Sequence, residues 1–292
     1  MKCYETKIGK RPIEVQIAKS VYEVTERLME TKDQNRAVHK RLTPSGRERA
    51  EFVGRTFNSA EEWKSAVNGQ WLEGLRAEEE LYSQLDPHTL PRPRSRRRRR
   101  VFDEFQGDGV DYDRLRSGQP FWQQTKRIVT QGPTSITLVA DASSNCRLNW
   151  KRILWKGVAG CVATRILESA GYRVDLWLVS HSHENYYDDC DDLLAINLKQ
   201  PGTPLNLSSI ITATSGWFYR TAIFALKETS VSGRRTTSWL GFPNYELTEE
   251  HIRQFARDDV YSVVKATSLS EAVESINQAV ETITSHQPEG GR

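Results

Sequence analysis

The stretch SITLVADASSN, residues 135–145, decides the fold. Ile136 to Ala140 are apolar or β-branched, and the run ends in Asp141-x-Ser143-x-Asn145. An apolar strand that stops at an aspartate and gives way to a helix is the basic step of an α/β sheet. Ligand sites in such sheets collect at the carboxyl ends of the strands. Asp141, Ser143 and Asn145 therefore form either a candidate oxygen cradle for a divalent cation or the relic of one.

Downstream of this turn the pattern is regular. Asn149 to Ala170 is predicted helical, with Leu154, Val158, Cys161, Val162, Ile166 and Leu167 at helical spacing and Gly171 placed to stop it. Val174–Val179 and Leu193–Leu198 are predicted strands. Leu207–Lys227 is a helical candidate, with a break suggested by Gly216 and the cluster Trp217-Phe218-Tyr219. Gly233–Pro243 reads as a loop, and Thr248 caps a helix running to Ala256. Val260–Lys265 is the last strand, and Ser268 or Ser270 caps a helix from Glu271 to Thr284. This order predicts an α/β domain over residues 101–286, three-layered with a mostly parallel sheet, and a frayed tail at 287–292.

Upstream the signals weaken. Residues 1–57 read as weakly structured apart from a helix over Ala18–Asp33. Residues 58–90 read as a helical hairpin, capped near Ser59 and closed by Asp86-Pro87, and give the chain an N-terminal helical region. Residues 91–100 read as an arginine-rich linker, with seven arginines in the nine residues Arg92–Arg100. Arg96, Arg97, Arg98, Arg99 and Arg100 are candidate phosphate-binding residues, since clustered arginines give salt-dependent affinity for nucleic acid. Tyr112, Phe121 and Trp122 nearby are candidate stacking faces.

Composition narrows the function classes. The 292 residues carry a formal net charge of +3, and the mean hydropathy is −0.62. No apolar run approaches the ~18 residues of a membrane span, and the N-terminus lacks an apolar leader. Four cysteines without a Cys-x-x-Cys spacing suit a reducing compartment. The expectation is a cytoplasmic protein without a membrane partner. Glu184–Asp192, five acidic groups in nine residues, follows His181 and His183, which with Asp141 form a second candidate metal set for Zn²⁺ or Mn²⁺.

The unit from Ser135 to Ser180 resembles the opening of a von Willebrand factor A-like domain, where a strand ends in Asp-x-Ser-x-Ser, a long helix follows and a second strand comes next. The matching residues are Asp141, Ser143 and Asn145, then Gly171-Tyr-Arg-Val-Asp-Leu-Trp-Leu-Val-Ser180. The resemblance implies a von Willebrand A-like or Rossmann-like sheet, a Mg²⁺ held at the turn and a partner's carboxylate completing its shell. Asn145 replaces the third serine, no later strand ends in Thr-Asp-Gly, and Thr212 and Thr214 are the candidates for the threonine ligand. Over Asn58–Ile283 the order of the tryptophan-bearing helix, Gly107–Trp122 and Trp217-Phe-Tyr-Arg220 also resembles an uncharacterised phage and bacterial domain family. The function expected from this is non-enzymatic, a protein-interaction module contacting its partner at the Asp141 edge. The alternatives are a nucleic-acid-associated protein using Arg96–Arg100 and a metal-dependent hydrolase using Asp141, His181 and His183.

Overall fold

The computed structural model describes residues 1–43, 52–85, 98–107, 109–127, 135–144, 148–183, 191–229, 247–256 and 261–285. The strands are β1 (Lys2–Ile8), β2 (Arg11–Ala18), β3 (Arg98–Asp103), β4 (Gly109–Val110), β5 (Trp122–Arg127), β6 (Ser135–Asp141), β7 (Arg173–His183), β8 (Asp191–Lys199) and β9 (Tyr261–Val264). The helices are α1 (Val21–Thr31), α2 (Arg36–Leu42), α3 (Ala60–Asn68), α4 (Leu72–Gln84), α5 (Tyr112–Arg116), α6 (Trp150–Ser169), α7 (Leu207–Ala213), α8 (Gly216–Phe218), α9 (Phe224–Lys227), α10 (Glu249–Ile252) and α11 (Leu269–Ser285). A π-helical turn, Tyr219–Ile223, joins α8 to α9. The chain divides into two units, one made of Met1–Pro91 with Ser135–Arg292 and the other of Arg92–Thr134.

In the first unit a six-stranded, mostly parallel sheet has the order β1-β2-β8-β7-β6-β9. The parallel pairs are β2 with β8, β7 with β6 and β6 with β9, and the antiparallel pairs are β1 with β2 and β7 with β8. Strands buried on both faces read as continuous apolar runs rather than alternations, which is why β6 and β7 stand out in the sequence. Ile136, Leu138, Leu176, Leu178, Leu194 and Ile196 face the larger core with the long helices. Val139, Trp177, Val179, Leu193 and Ala195 face a smaller cluster that Ile252 and Phe255 help to fill.

The structure departs from the sequence reading at the N-terminus. Residues 1–57 are not weakly structured where they are described. A hairpin turned at Gly9, whose positive φ of 60° suits glycine, adds β1 and β2 to the sheet, and α1 and α2 bury Val24, Leu28, Val38 and Leu42 in the core. β2 is a sheet strand because it pairs in parallel with β8, Ile13 opposite Asp191 and Ala18 opposite Ile196. That partner lies nearly two hundred residues away, beyond any local pattern.

The linker expectation also changes. Arg98, Arg99 and Arg100 begin β3, which pairs antiparallel with β5, and a three-stranded sheet of order β3-β5-β4 results. The expected 101–286 domain is therefore split: residues up to 134 belong to the second unit, and the large sheet takes its remaining strands from residues 1–18. Two helices, α3 and α4, fall within 58–90, and Ser59 caps α3 by accepting a bond from Glu62 N at 3.0 Å. Arg96, Arg97, Gly233–Pro243 and the tail lie outside the described residues.

α6 is apolar nearly all round because it is packed nearly all round. It buries thirteen residues, Gly157 and Gly160 among them. A Cβ at Gly160 would stand 2.9 Å from the Ala140 Cβ, and one at Gly157 would overlap the Thr214 side chain. Both glycines thus set how closely α6 approaches β6 and α7. Gly157→Ala is expected to destabilise the fold by about 1–3 kcal/mol through overpacking. Urea unfolding measures this, and an unchanged midpoint would show that α6 does not seat on α7 as described.

Candidate functional site

Three parallel strands of the large sheet, β6, β7 and β9, end together at one edge, and this edge gathers the residues expected to carry chemistry. Asp141 closes β6 and is buried, 5 % exposed. Its Oδ1 accepts a hydrogen bond from Ser143 N at 2.9 Å, a local aspartate turn. Ser143 Oγ accepts from His181 N at 2.9 Å and lies 3.3 Å from His181 Nδ1. The motif and the second strand therefore meet, as their placement at strand ends implies. His181 and His183 belong to β7 itself, which runs past the expected Val179 because it pairs with β8 as far as His183 opposite Asp191. Asn145 and Glu184–Cys190 lie outside the described residues.

Positive groups occupy the positions around the cradle. Lys156, inside α6, donates its ammonium to Ser143 O. Lys265, just past β9, stands 3.9 Å from Asp141 Oδ2 and is 44 % exposed. Burial lowers the Lys156 pKa from its ordinary value, opposed by the negative charge of Asp141 and reinforced by Lys265. Thr214 Oγ1 donates to the carbonyls of Ile210 and Ile211 at 3.0 and 3.2 Å, so this threonine closes its own helix. Thr212 is also buried, on α7. The described carboxylate and hydroxyl oxygens of the turn thus face N–H donors and the Lys265 ammonium. Among the described residues no group of three His, Cys, Asp or Glu side chains is placed to hold a metal.

The edge has further members that the sequence did not reveal. Ser144 N donates to Tyr219 Oη at 3.1 Å, and burial pushes the Tyr219 hydroxyl up to about 12. Lys227 donates to Ser182 Oγ at 2.8 Å and pairs with Asp192 at 2.9 Å. His251 of α10 brings its ring to 6.1 Å from that of His181 and takes Thr248 N on its Nδ1 at 3.3 Å. The His181 ring is buried, and among the described residues its Nε2 has no hydrogen-bond partner. Lys156, Lys227 and Tyr219 are residue types that a pattern reading assigns to surfaces or to plain core, so no local signal marks them.

The second unit holds the other candidate site. Its ladder sets Arg98 opposite Arg127, Arg99 opposite Lys126 and Arg100 opposite Thr125. At the other end of this small sheet Asp103 and Val110 both lie opposite Trp122. Arg114 stands over the Phe102 ring at 4.0 Å, and Phe121 packs on Trp122 with ring centroids 5.8 Å apart. Of the expected stacking faces, Phe121 and Trp122 are half-buried, whereas Tyr112 is exposed.

A family model described as a domain of unknown function, DUF7192, matches residues 6–285. No curated protein and no solved structure matches the chain significantly.

Two predictions follow from the strand-end edge. Burial holds the His181 and His251 pKa values below the ordinary 6.5; at His181, Lys227 and His251 act in the same direction while Asp141 and Asp192 oppose it. The unfolded chain then binds more protons than the folded one below pH 6.5, so the stability these groups confer is complete above that value and declines as the pH falls beneath it. The urea midpoint is expected to drop between about pH 7 and pH 5.5, and to drop less in His181→Asn; equal slopes in the two proteins would remove His181 from the account. Excess Mg²⁺ is expected to leave the melting temperature unchanged, and a rise that Asp141→Asn abolishes would restore a cation to the turn.

Proposed function

We propose that this chain, which belongs to the DUF7192 family, binds polyanions, and nucleic acid in particular, through its inserted basic unit. The observation that carries the reading is the placement of charge. Arg92–Thr134 hold eleven Lys and Arg against five Asp and Glu, a formal +6, while the rest of the chain holds thirty against thirty-three, a formal −3. All of the positive excess sits on about one seventh of the length. A net charge of +3 spread evenly would say little, whereas +6 beside −3 is an electrostatic footprint.

The ladder strengthens this. Backbone pairing sets Arg98 opposite Arg127 and Arg99 opposite Lys126, so four basic positions share one end of the ladder. A phosphate chain bound at that end would meet several basic residues at once and release counterions as it does so. A partner protein at the strand-end edge is the second reading, favoured by the half-exposed Lys265 ammonium, which would face a partner's carboxylate.

Fluorescence anisotropy with a labelled oligonucleotide tests the first reading. The logarithm of the affinity is expected to fall linearly with the logarithm of the salt concentration. Replacing Arg98, Arg99 and Arg100 together by glutamine is expected to weaken binding and to reduce that slope by about 2, at about 0.7 for each lost contact to a single strand. Absence of binding at about 50 mM salt, or a slope untouched by the triple replacement, would overturn the reading.

A further inference from the structure

We infer that Phe105 and Tyr112 form the base-stacking platform of a single-stranded nucleic-acid site on the inserted unit, a reading that rests on the polyanion binding proposed above. They are the two most exposed large apolar residues among those described, 86 % and 70 % exposed. Scattered exposed aromatics are ordinary on a protein surface. These two differ in how they are held and in where they stand.

Each is fixed by the backbone beside it. Asp103 Oδ1 accepts from Phe105 N at 2.8 Å and from Gln106 N at 3.3 Å, and Gln106 O in turn accepts from Gln124 Nε2 at 3.1 Å. Gly107 lies so close to the backbone of Gln123 that a Cβ there would stand 2.8 Å from its carbonyl oxygen. The turn that displays Phe105 is therefore tied to β5 on both sides. Tyr112 is the first residue of α5, behind Asp111, whose Oδ1 accepts from Asp113 N and Arg114 N and whose own N–H bonds Phe121 O at 2.9 Å. An aromatic ring displayed on a fixed backbone loses little conformational freedom on binding, which favours it as a contact.

The two rings also leave the same end of the small sheet. β3 and β4 flank β5, both antiparallel to it, and Asp103 and Val110 share Trp122 as their partner. With strands about 4.8 Å apart, those two positions lie roughly 10 Å from one another. Phe105 and Tyr112 each follow by two residues. Arg98 and Arg127 sit at the opposite end, five residues of strand or about 17 Å away. One end of the sheet is thus cationic and the other carries exposed rings.

Charge separates the roles of the two ends. At the aromatic end Asp103, Glu104, Asp111 and Asp113 outnumber Arg114, which stands over the Phe102 ring, and Arg116, and a net excess of carboxylates disfavours phosphate. A nucleic acid lying along the sheet therefore places its backbone on the arginine end and meets the aromatic end through base faces. Only a single strand has base faces to offer, because a duplex hides them in its stack.

The test compares labelled oligo-dT, a duplex of the same length and heparin, each on the full chain at matched salt. Single strand is expected to bind more tightly than duplex. Phe105→Ala and Tyr112→Ala are each expected to weaken oligo-dT binding about five- to a hundredfold, with the salt slope and heparin binding unchanged. Phe105→Tyr is expected to bind oligo-dT as the wild type does. Unchanged oligo-dT affinity in the double alanine variant, or an equal loss on heparin, overturns the platform while leaving polyanion binding in place. Failure of the wild type to bind any of the three overturns the reading beneath it.

Discussion

Three adjacent side chains of the π-helical turn hold distant parts of the larger unit in register. Tyr219 takes Ser144 N, Arg220 donates to Leu148 O and Phe52 O, and Thr221 takes Trp63 Nε1 at 2.8 Å. Arg220 is 3 % exposed, with its guanidinium 3.6 Å from the centre of the Phe52 ring. A buried cation is tolerated only where its donors are met, so the carbonyls of Phe52 and Leu148 are held at fixed positions by the cost of leaving Arg220 unpaired. The turn therefore clamps the connection between β6 and α6 at both sides, by Tyr219 at Ser144 and by Arg220 at Leu148. A regular α-helix presents successive side chains about 100° apart; the wider π turn changes that spacing, and such turns often mark positions under functional or packing demand.

How far the sequence shows this fold follows from where each partner lies. β6, α6, β7 and α11 are visible because their periodicity is set by faces they bury along their whole length. β1 and β2 are not, because Glu5, Lys7, Arg11 and Glu14 dilute the pattern and Pro12 sits near a strand start, where its missing N–H is tolerated. Only the distant pairing with β8 makes them a sheet edge. The arginine run misleads for a related reason. Its composition is that of a solvated linker, and only the ladder with Trp122–Arg127 turns its last three residues into strand.

The site was legible to the same depth. Asp141, Ser143 and His181 converge because strand ends in an α/β sheet converge, which the order of elements already implies. What the turn binds was not legible, since it depends on ammonium groups from α6 and from the end of β9. Lys156 lies on a buried face of its helix, so its side chain reaches the loop carbonyl instead of water. In its described part the turn ties β6, β7 and α6 together through Asp141, Ser143, His181 and Lys156.

The inserted unit follows a different economy. It has about forty residues and a three-stranded sheet, a size at which little apolar surface can be removed from water. Eleven Lys and Arg against five Asp and Glu crowd a formal +6 onto it, and self-repulsion of net charge works against a compact state. An anion that bound the folded sheet and neutralised part of that charge would stabilise the unit by mass action, which would link order in the unit to the proposed binding. The larger unit, anchored by Arg220 and closed at its strand ends, needs no such help, and the chain's charge is divided accordingly.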